Sequence, residues 1–417
     1  MPLPARNSLA VIGAGPIGLE AACAGLDRGF DVHLFERGEV GSHPIAWGHV
    51  RLFTPWRMNL GPASRRRLEG TGWSAPDPEA FPTGEEYAER YLAPVARLPE
   101  LAGRVHTHSQ VVHIGRRGLL KGDDLPAAQR REAPFRLLVR DQGGRENFLS
   151  AFAVIDASGV YGQPNWAGDG GIPARGELYL APQLSYHIDD VRGLARARYA
   201  GRRSLVIGSG ASAATVLSEL AALAEEVPGT AAVWATRKGG DALYPMNADD
   251  PLPERRALYE RARDFVRGTH PAVAHVGGVV VEGFEFNSAT HRYRVTLRPV
   301  REGGADERSR VEEVDQVVVN TGFGPDNSIY RELRIHECYG SRGPMALSAA
   351  LLGANAADCL TTPRFGAEVL ANPEPDFFIL GNKSYARYNN FLLETGFAQV
   401  KDVIEELAVD RQVMAGV

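Results

Sequence analysis

Leu9-Ala10-Val11-Ile12-Gly13-Ala14-Gly15-Pro16-Ile17-Gly18 is the stretch that decides the fold. Leu9 to Ile12 is a short apolar run of the kind that forms a buried parallel strand. Gly13 permits a tight turn, Gly15 lets backbone approach a pyrophosphate, and Gly18 lets the next helix lie close on the strand. The alanine-rich helix expected from Leu19 to Arg28 directs its first N–H groups at phosphate. A second strand, Asp31 to Phe35, then ends at Glu36. A carboxylate there, roughly 20 residues beyond the glycines, accepts hydrogen bonds from a ribose diol. The competing reading is an ordinary strand–turn–helix with a surface glutamate.

The device recurs. Leu205-Val206-Ile207-Gly208-Ser209-Gly210-Ala211-Ser212-Ala213 has the G-x-G-x-x-A form, and the strand Ala231 to Ala235 runs into Thr236, Arg237 and Lys238 instead of an acid. A carboxylate would repel a 2′-phosphate, whereas arginine or lysine pairs with it. The second site therefore reads as one that prefers NADPH over NADH; solvated loop charges at Arg237 and Lys238 are the alternative. Two such turns in one chain imply two dinucleotides and electrons moving between them.

Bulk properties bound the rest. The chain has 417 residues, 44% hydrophobic and 23% charged, which suits two or three globular domains. A net charge of −5 argues against nucleic acid as the main partner, and Arg65, Arg66 and Arg67 read as a solvated helix face. No run of about 18 apolar residues predicts a membrane span. The first strand begins too early to leave room for a signal peptide. Cys23, Cys338 and Cys359 form no C-x-x-C, which fits a reducing cytoplasm. His33, His43, His106, His108 and His113 lack metal-ligand spacing, so no metal is expected.

Along the chain, residues 38 to 82 carry few regular signals but many aromatic, arginine and proline residues, among them Trp47, Arg51, Trp56, Arg57 and Asn59. They read as an ordered loop region covering something flat. A helix is expected over Glu85 to Leu98, with Tyr87, Tyr91, Leu92 and Val95 on one face. Short strands follow at Val105 to Ile114, Phe135 to Arg140 and Asn147 to Phe152. Val154-Ile155-Asp156-Ala157-Ser158-Gly159 is a strand running into a small-residue turn, and Val317-Val318-Val319-Asn320-Thr321-Gly322 repeats it. Phe377 to Leu380 reads as another buried strand ending at Gly381-Asn382, followed by a helix with Phe397, Val400, Val403, Ile404 and Leu407 on one face. The expected class is α/β with two Rossmann-like dinucleotide-binding domains, the domain of the second fingerprint inserted within that of the first. The boundaries expected are residues 1–165, 166–322 and 323–417.

As a set, these motifs resemble the two-dinucleotide-binding flavoproteins, a group that includes flavin-containing monooxygenases, N-hydroxylating monooxygenases and low-molecular-weight thioredoxin reductases. The resemblance rests on Gly13 to Gly18 with Glu36, Asp156 to Gly159, Gly208 to Ala213 with Arg237, and Asn320 to Gly322. It implies FAD at the first fingerprint and NADPH at the second. Phe81-Pro82-Thr83-Gly84-Glu85-Glu86-Tyr87 is similar to the segment by which flavin-containing monooxygenases enter their third helix. Tyr186-His187 is similar to the stretch before their NADPH fingerprint, although their F-x-G-x-x-x-H signature is absent as written. Related reductases place Asp after the glycine at position 381; here Asn382 stands there and can still hydrogen bond. The polar stretch Gly381 to Leu393 is similar to one that N-hydroxylases carry near their C-terminus. Cofactor contacts are accordingly expected from Ser158, Gly159, Ser212, Gly322, Gly381, Asn382 and Leu392.

In that group reduced flavin passes electrons to O₂, giving a flavin hydroperoxide that oxygenates a nitrogen, sulfur or carbonyl centre. Asn59 falls roughly where flavin-containing monooxygenases place a flavin-facing asparagine. Arg51, Arg57, Lys383 and Arg387 could hold an anionic substrate or NADP⁺, or form surface ion pairs. Asn59, Arg57 and Lys383 are the catalytic candidates. The alternative function is a reductase that works directly from flavin to a small-molecule acceptor, since no dithiol pair is present to relay electrons. A non-catalytic flavoprotein is the third reading. A small-molecule substrate is expected, with O₂ if the chain is a monooxygenase; a homodimer is compatible, and neither nucleic acid nor membrane is a partner.

Overall fold

The computed structural model describes residues 3–240, 243–244, 250–300, 309–354, 360, 364–388 and 391–415. The chain forms two compact units, one built from residues 1–48, 54–163 and 324–417, the other from 49–53 and 164–323. Each contains a parallel sheet and a three-stranded antiparallel sheet.

In the first unit the parallel strands are β1 (Ser8–Ile12), β2 (Asp31–Phe35), β3 (Val105–His106), β7 (Ala153–Asp156) and β15 (Phe377–Ile379), in the order β15-β7-β1-β2-β3. Ile12 pairs with both Phe35 and Asp156, so three strands end in one row. The row brings Gly13, Glu36 and Ala157 to the same carboxyl edge, where open α/β sheets bind their ligands. The helix Pro16–Asp27 covers the sheet through Ala21, Ala22, Cys23 and Gly25. Small residues are needed there, because a Cβ at Gly25 would already press Leu9 and Val32 at 3.0 Å. The helix Leu393–Ala415 buries Phe397, Val400, Val403, Ile404 and Leu407 in the same core, each contributing about 1.5–3 kcal/mol.

The strand expected over Val105 to Ile114 is two strands in different sheets. His108 has φ +50° and redirects the chain from β3 into β4 (Ser109–Arg116), which pairs antiparallel with β5 (Phe135–Asp141), itself paired with β6 (Glu146–Ala151). The expected helix begins at Gly84, under a reciprocal cap in which Glu86 N–H donates to Thr83 Oγ1 and Thr83 N–H to Glu86 Oε2. Its middle, Ala88–Leu92, is π-helical before Ala93–Ala96 resumes the α form. Pro94 has no N–H for the carbonyl of Arg90, and Trp73 Nε1–H takes that carbonyl at 2.9 Å.

The aromatic loop region contains three short helices, Ser42–Ala46, Trp56–Asn59 and Pro62–Glu69. Trp56 is buried against Tyr87, which donates to the backbone of Asn59 at 2.6 Å. The arginine cluster does lie on a helix, but it is not merely solvated. Arg67 bridges Asp27 and Glu100, and Arg66 also reaches Asp27.

In the second unit the strands β8 (Arg203–Ile207), β9 (Ala231–Thr236), β10 (Val273–Gly277) and β14 (Gln316–Val319) form a parallel sheet in the order β10-β9-β8-β14. The antiparallel sheet is β11 (Val279–Asn287), β12 (Arg292–Pro299) and β13 (Arg310–Val314). Ile207 pairs with Ala235 and Val319, so the glycine turn after β8 again lies between two strand ends. The helix Ala211–Glu226 follows it, with Ala213, Ala214 and Leu217 buried. Among the described residues no helix is long and apolar enough to cross a membrane, and no cluster of histidine, cysteine or carboxylates could hold a metal ion.

Candidate functional site: two glycine turns at sheet edges

At the first turn each glycine has its own physical reason. Gly13 has φ +97°, and a Cβ there would meet Ala157 O at 2.8 Å and Ser158 Cα at 2.9 Å. A Cβ at Gly18 would overlap the Gly13 carbonyl. Gly15 is different: its φ is −83°, and a Cβ would have no protein atom within 4 Å. The space that Gly15 keeps open is therefore not needed by the protein itself. The helix that starts there has no side-chain cap, which leaves its first N–H groups for an anion.

Glu36 is buried at the end of β2. Its Oε2 accepts from Ala14 N–H at 2.8 Å and its Oε1 from Gly38 N–H at 2.9 Å, which ties the acid to the turn. A cavity of about 100 Å³ lies here, lined among others by Gly13, Glu36, Arg37, Ser158, Gly159 and Lys383. Asp156 ends β7; its Oδ1 accepts from Ser158 N–H at 3.0 Å and Ser158 Oγ–H at 2.7 Å. Lys383, 2% exposed, donates from Nζ to Asp156 Oδ2 at 2.6 Å and to Ser158 Oγ at 3.1 Å. It comes from the turn after β15, where Gly381 has φ +72° and donates to Gln399 Oε1 at 2.8 Å. Asp326 lines the same cavity. Burial works against its ionisation, yet hydrogen bonds from Ser328 and the charge of Lys383 hold its carboxyl below the usual range.

The second turn repeats the pattern. Gly208 has φ +131°, and a Cβ there would overlap the Asn320 carbonyl. Gly210 again has nothing within 4 Å of its Cβ position and starts a 16-residue helix without a side-chain cap. Ser212 lies in the first turn of that helix, and Ala213 is buried beneath it. Arg237 and Lys238 are exposed after β9. The loop that carries them is braced: Thr236 Oγ1 donates to Lys238 O at 2.5 Å and meets His275 Nε2 at 2.9 Å. Burial lowers the basicity of His275. Thr321 and Asn165 lock the turn after β14, Thr321 Oγ1 donating to Asn165 O at 2.6 Å and Asn165 N–H to Gly322 O at 2.9 Å. His187 stacks on Phe323 at 5.5 Å.

The catalytic candidates are placed apart from one another in kind. Asn59 is 1% exposed and spends its amide on its own loop, donating to Thr54 O and Pro55 O and accepting from Thr54 Oγ1. Arg57 is exposed and paired with Glu79 at 2.9 Å. Lys383, from the turn after β15, is buried against Asp156 and Ser158. Asn382 and Arg387 are exposed, and Leu392 O accepts from Thr395 N–H at the start of the last helix. Asn389, Asn390 and Cys359 lie outside the described residues.

Two buried clusters were not legible as such in the sequence. Glu20, in the fingerprint helix, accepts from Ala63 N–H, Ser64 N–H and Ser64 Oγ–H and so caps the helix Pro62–Glu69 across the fold. Glu374 holds Arg116 and Arg130, each at 2.8 Å, with all three side chains at most 1% exposed.

Two parallel sheets, each with an uncapped helix after a glycine turn, define an α/β fold with two Rossmann-like units. The solved structures similar to this chain have that fold. The bacillithiol disulfide reductase Bdr of Bacillus cereus is 17% identical, with a TM-score of 0.68 over 97% of this chain and 99% of that one. The cadaverine monooxygenase DfoA of Erwinia amylovora, solved with FAD, is 15% identical, with a TM-score of 0.64 over 98% and 96%. The ornithine N-hydroxylase KtzI of Kutzneria sp. 744, solved with reduced FAD and NADP⁺, is 18% identical, with a TM-score of 0.62 over 98% and 100%. No family model matches the chain, and no curated protein matches it.

Proposed function

We propose that this chain is an FAD-dependent oxidoreductase that draws electrons from NADPH and uses O₂ to oxygenate a small molecule at a nitrogen, sulfur or carbonyl centre. The observation that carries the cofactor reading is the pair of open cradles. Gly15 and Gly210 each precede an uncapped helix and leave free the volume a Cβ would take, at the sheet edge where a dinucleotide binds. Gly13, Gly15, Gly18, Glu36, Ser158, Gly159, Gly381 and Asn382 would hold FAD. Gly208, Gly210, Ser212, Ala213, Arg237, Lys238 and Gly322 would hold NADPH, with the two cations on its 2′-phosphate. Bound flavin supplies a carrier that accepts two electrons and releases them to an acceptor. The chain's own part is to orient it: helix N–H groups meet the phosphates, and Glu36 meets a ribose.

Oxygenation is favoured over a dithiol relay, because no two cysteines form a C-x-x-C. Cys23 is buried, and burial pushes its thiol far above the ordinary range, so it is inert. Cys338 supports the second reading, a reductase of a small-molecule acceptor. Hydrogen bonds from the Ser341 hydroxyl and N–H hold its thiol below the usual value. Anaerobic reduction by NADPH followed by admission of O₂ separates the two. Oxygen uptake that precedes peroxide release by a measurable lag supports the oxygenase. Immediate stoichiometric peroxide, with NADPH-dependent reduction of a small-molecule disulfide, supports the reductase. A colourless protein that takes up no FAD removes both.

A further inference from the structure

We propose that Lys383 is the positioning residue that makes the first glycine turn acceptable to a pyrophosphate, by cancelling the charge of Asp156 behind it. The proposal rests on the reading that this turn holds FAD. Asp156 is 0% exposed and ends β7 directly beneath the turn, where Ala157 and Ser158 touch the Cβ position of Gly13. One carboxylate oxygen is spent fixing Ser158, through its N–H and its hydroxyl. That shapes the Ser158–Gly159 turn but leaves a fixed negative charge next to the place where two phosphates must sit. Buried and unpaired, such a charge repels the ligand and is itself unstable.

Lys383 supplies the opposite charge from inside. The Gly381 turn sends its side chain under β7, where Nζ reaches the second oxygen of Asp156 at 2.6 Å. The same ammonium lies 3.1 Å from Ser158 Oγ, so a single hydroxyl separates it from the turn. The ring of Tyr330 lies 5.2 Å from the ammonium, and Asp326, Glu36, Arg37 and His43 line the cavity that Lys383 also lines. Lys383 is thus the cation closest to the acid that ends β7. The sequence offers Lys383 as a cation for an anionic substrate or NADP⁺ or as a surface ion pair; the structure buries it against Asp156.

The test is FAD binding by the full chain stripped of flavin, read by quenching of flavin fluorescence at low and high salt. In Lys383→Met, Asp156 has lost its partner. FAD should bind at least tenfold more weakly than to wild type at low salt. Lys383→Met/Asp156→Asn, which removes both charges, should bind within about threefold of wild type. A loss in Lys383→Met that Asp156→Asn does not rescue marks a packing role and overturns the proposal. Should Lys383→Met fail to fold, Asp156→Asn alone decides: the released ammonium should tighten FAD binding at least threefold at low salt, and unchanged or weaker binding overturns the proposal. Wild type that takes up no FAD overturns the cofactor reading and this proposal with it.

Discussion

Gly15→Ala is the sharpest perturbation of the first site, because the structure separates its effect on the protein from its effect on a ligand. Gly15 has φ −83° and ψ −173°, a conformation alanine adopts freely, and the added methyl meets no protein atom within 4 Å. Replacing glycine by alanine restricts the unfolded chain and stabilises by about 0.4–1 kcal/mol. Losing glycine at a helix N-cap costs about the same. The stability of the flavin-free protein should therefore change by less than about 1 kcal/mol. The methyl does fill the volume where backbone would approach a pyrophosphate, so FAD affinity should fall at least tenfold, about 1.4 kcal/mol. Gly18→Ala is the control with the opposite profile, since its Cβ overlaps the Gly13 carbonyl and the fold itself must give way. Chemical denaturation of flavin-free protein and FAD titration measure the two quantities separately. A Gly15→Ala protein of normal stability that binds FAD as tightly as wild type would refute the cradle.

Further outcomes follow from individual side chains. Arg237→Ala should weaken NADPH binding about 10- to 100-fold, the loss of charge-assisted hydrogen bonds of about 1.5–3 kcal/mol, while leaving NADH nearly unaffected; equal losses for both would sink the 2′-phosphate assignment. Iodoacetamide at pH 7.5 should alkylate Cys338 well ahead of Cys23, because donors around Cys338 favour its thiolate and burial disfavours that of Cys23; peptide mapping that finds Cys23 labelled first contradicts this. Glu374→Ala should destabilise by about 3–5 kcal/mol, because Arg116 and Arg130 are left charged and buried. Burial alone would raise the Glu374 carboxyl, but hydrogen bonds from Arg130, Arg116 and the Arg334 N–H leave it below its ordinary value. A depressed folded value means that its stabilisation is present above the unfolded value, near pH 4.3, and is lost as pH falls through the folded one. Acid-induced unfolding monitored by circular dichroism should therefore lose part of its slope below about pH 4 in Glu374→Gln, and an unchanged acid limb speaks against the triad.

What the sequence shows and hides here depends on the range over which each constraint acts. The turns at Gly13 and Gly208 are readable because strand, glycine, helix and the closing residue lie within one short stretch, and the backbone tolerates few residues there. The second strand is readable to the residue, Asp31–Phe35, for the same reason. Pro94 also announces its consequence locally, a carbonyl on Arg90 that needs another donor, although only the fold reveals that Trp73 supplies it. The switch from β3 to β4 is hidden, since His108 at positive φ sits inside an otherwise unbroken strand pattern. Hidden too are the charges that meet across the chain: Lys383 and Asp156 are 227 residues apart, and Glu374 and Arg116 are 258 apart. Nothing in either local pattern selects the partner. The one visible hint is an acid at the end of an apolar strand, Val154-Ile155-Asp156, because a carboxylate entering a core requires a cation from somewhere. That requirement turns Lys383 from a surface candidate into an internal counter-ion, and it makes the charge state beneath the first glycine turn a property of two distant pieces of chain rather than of the motif itself.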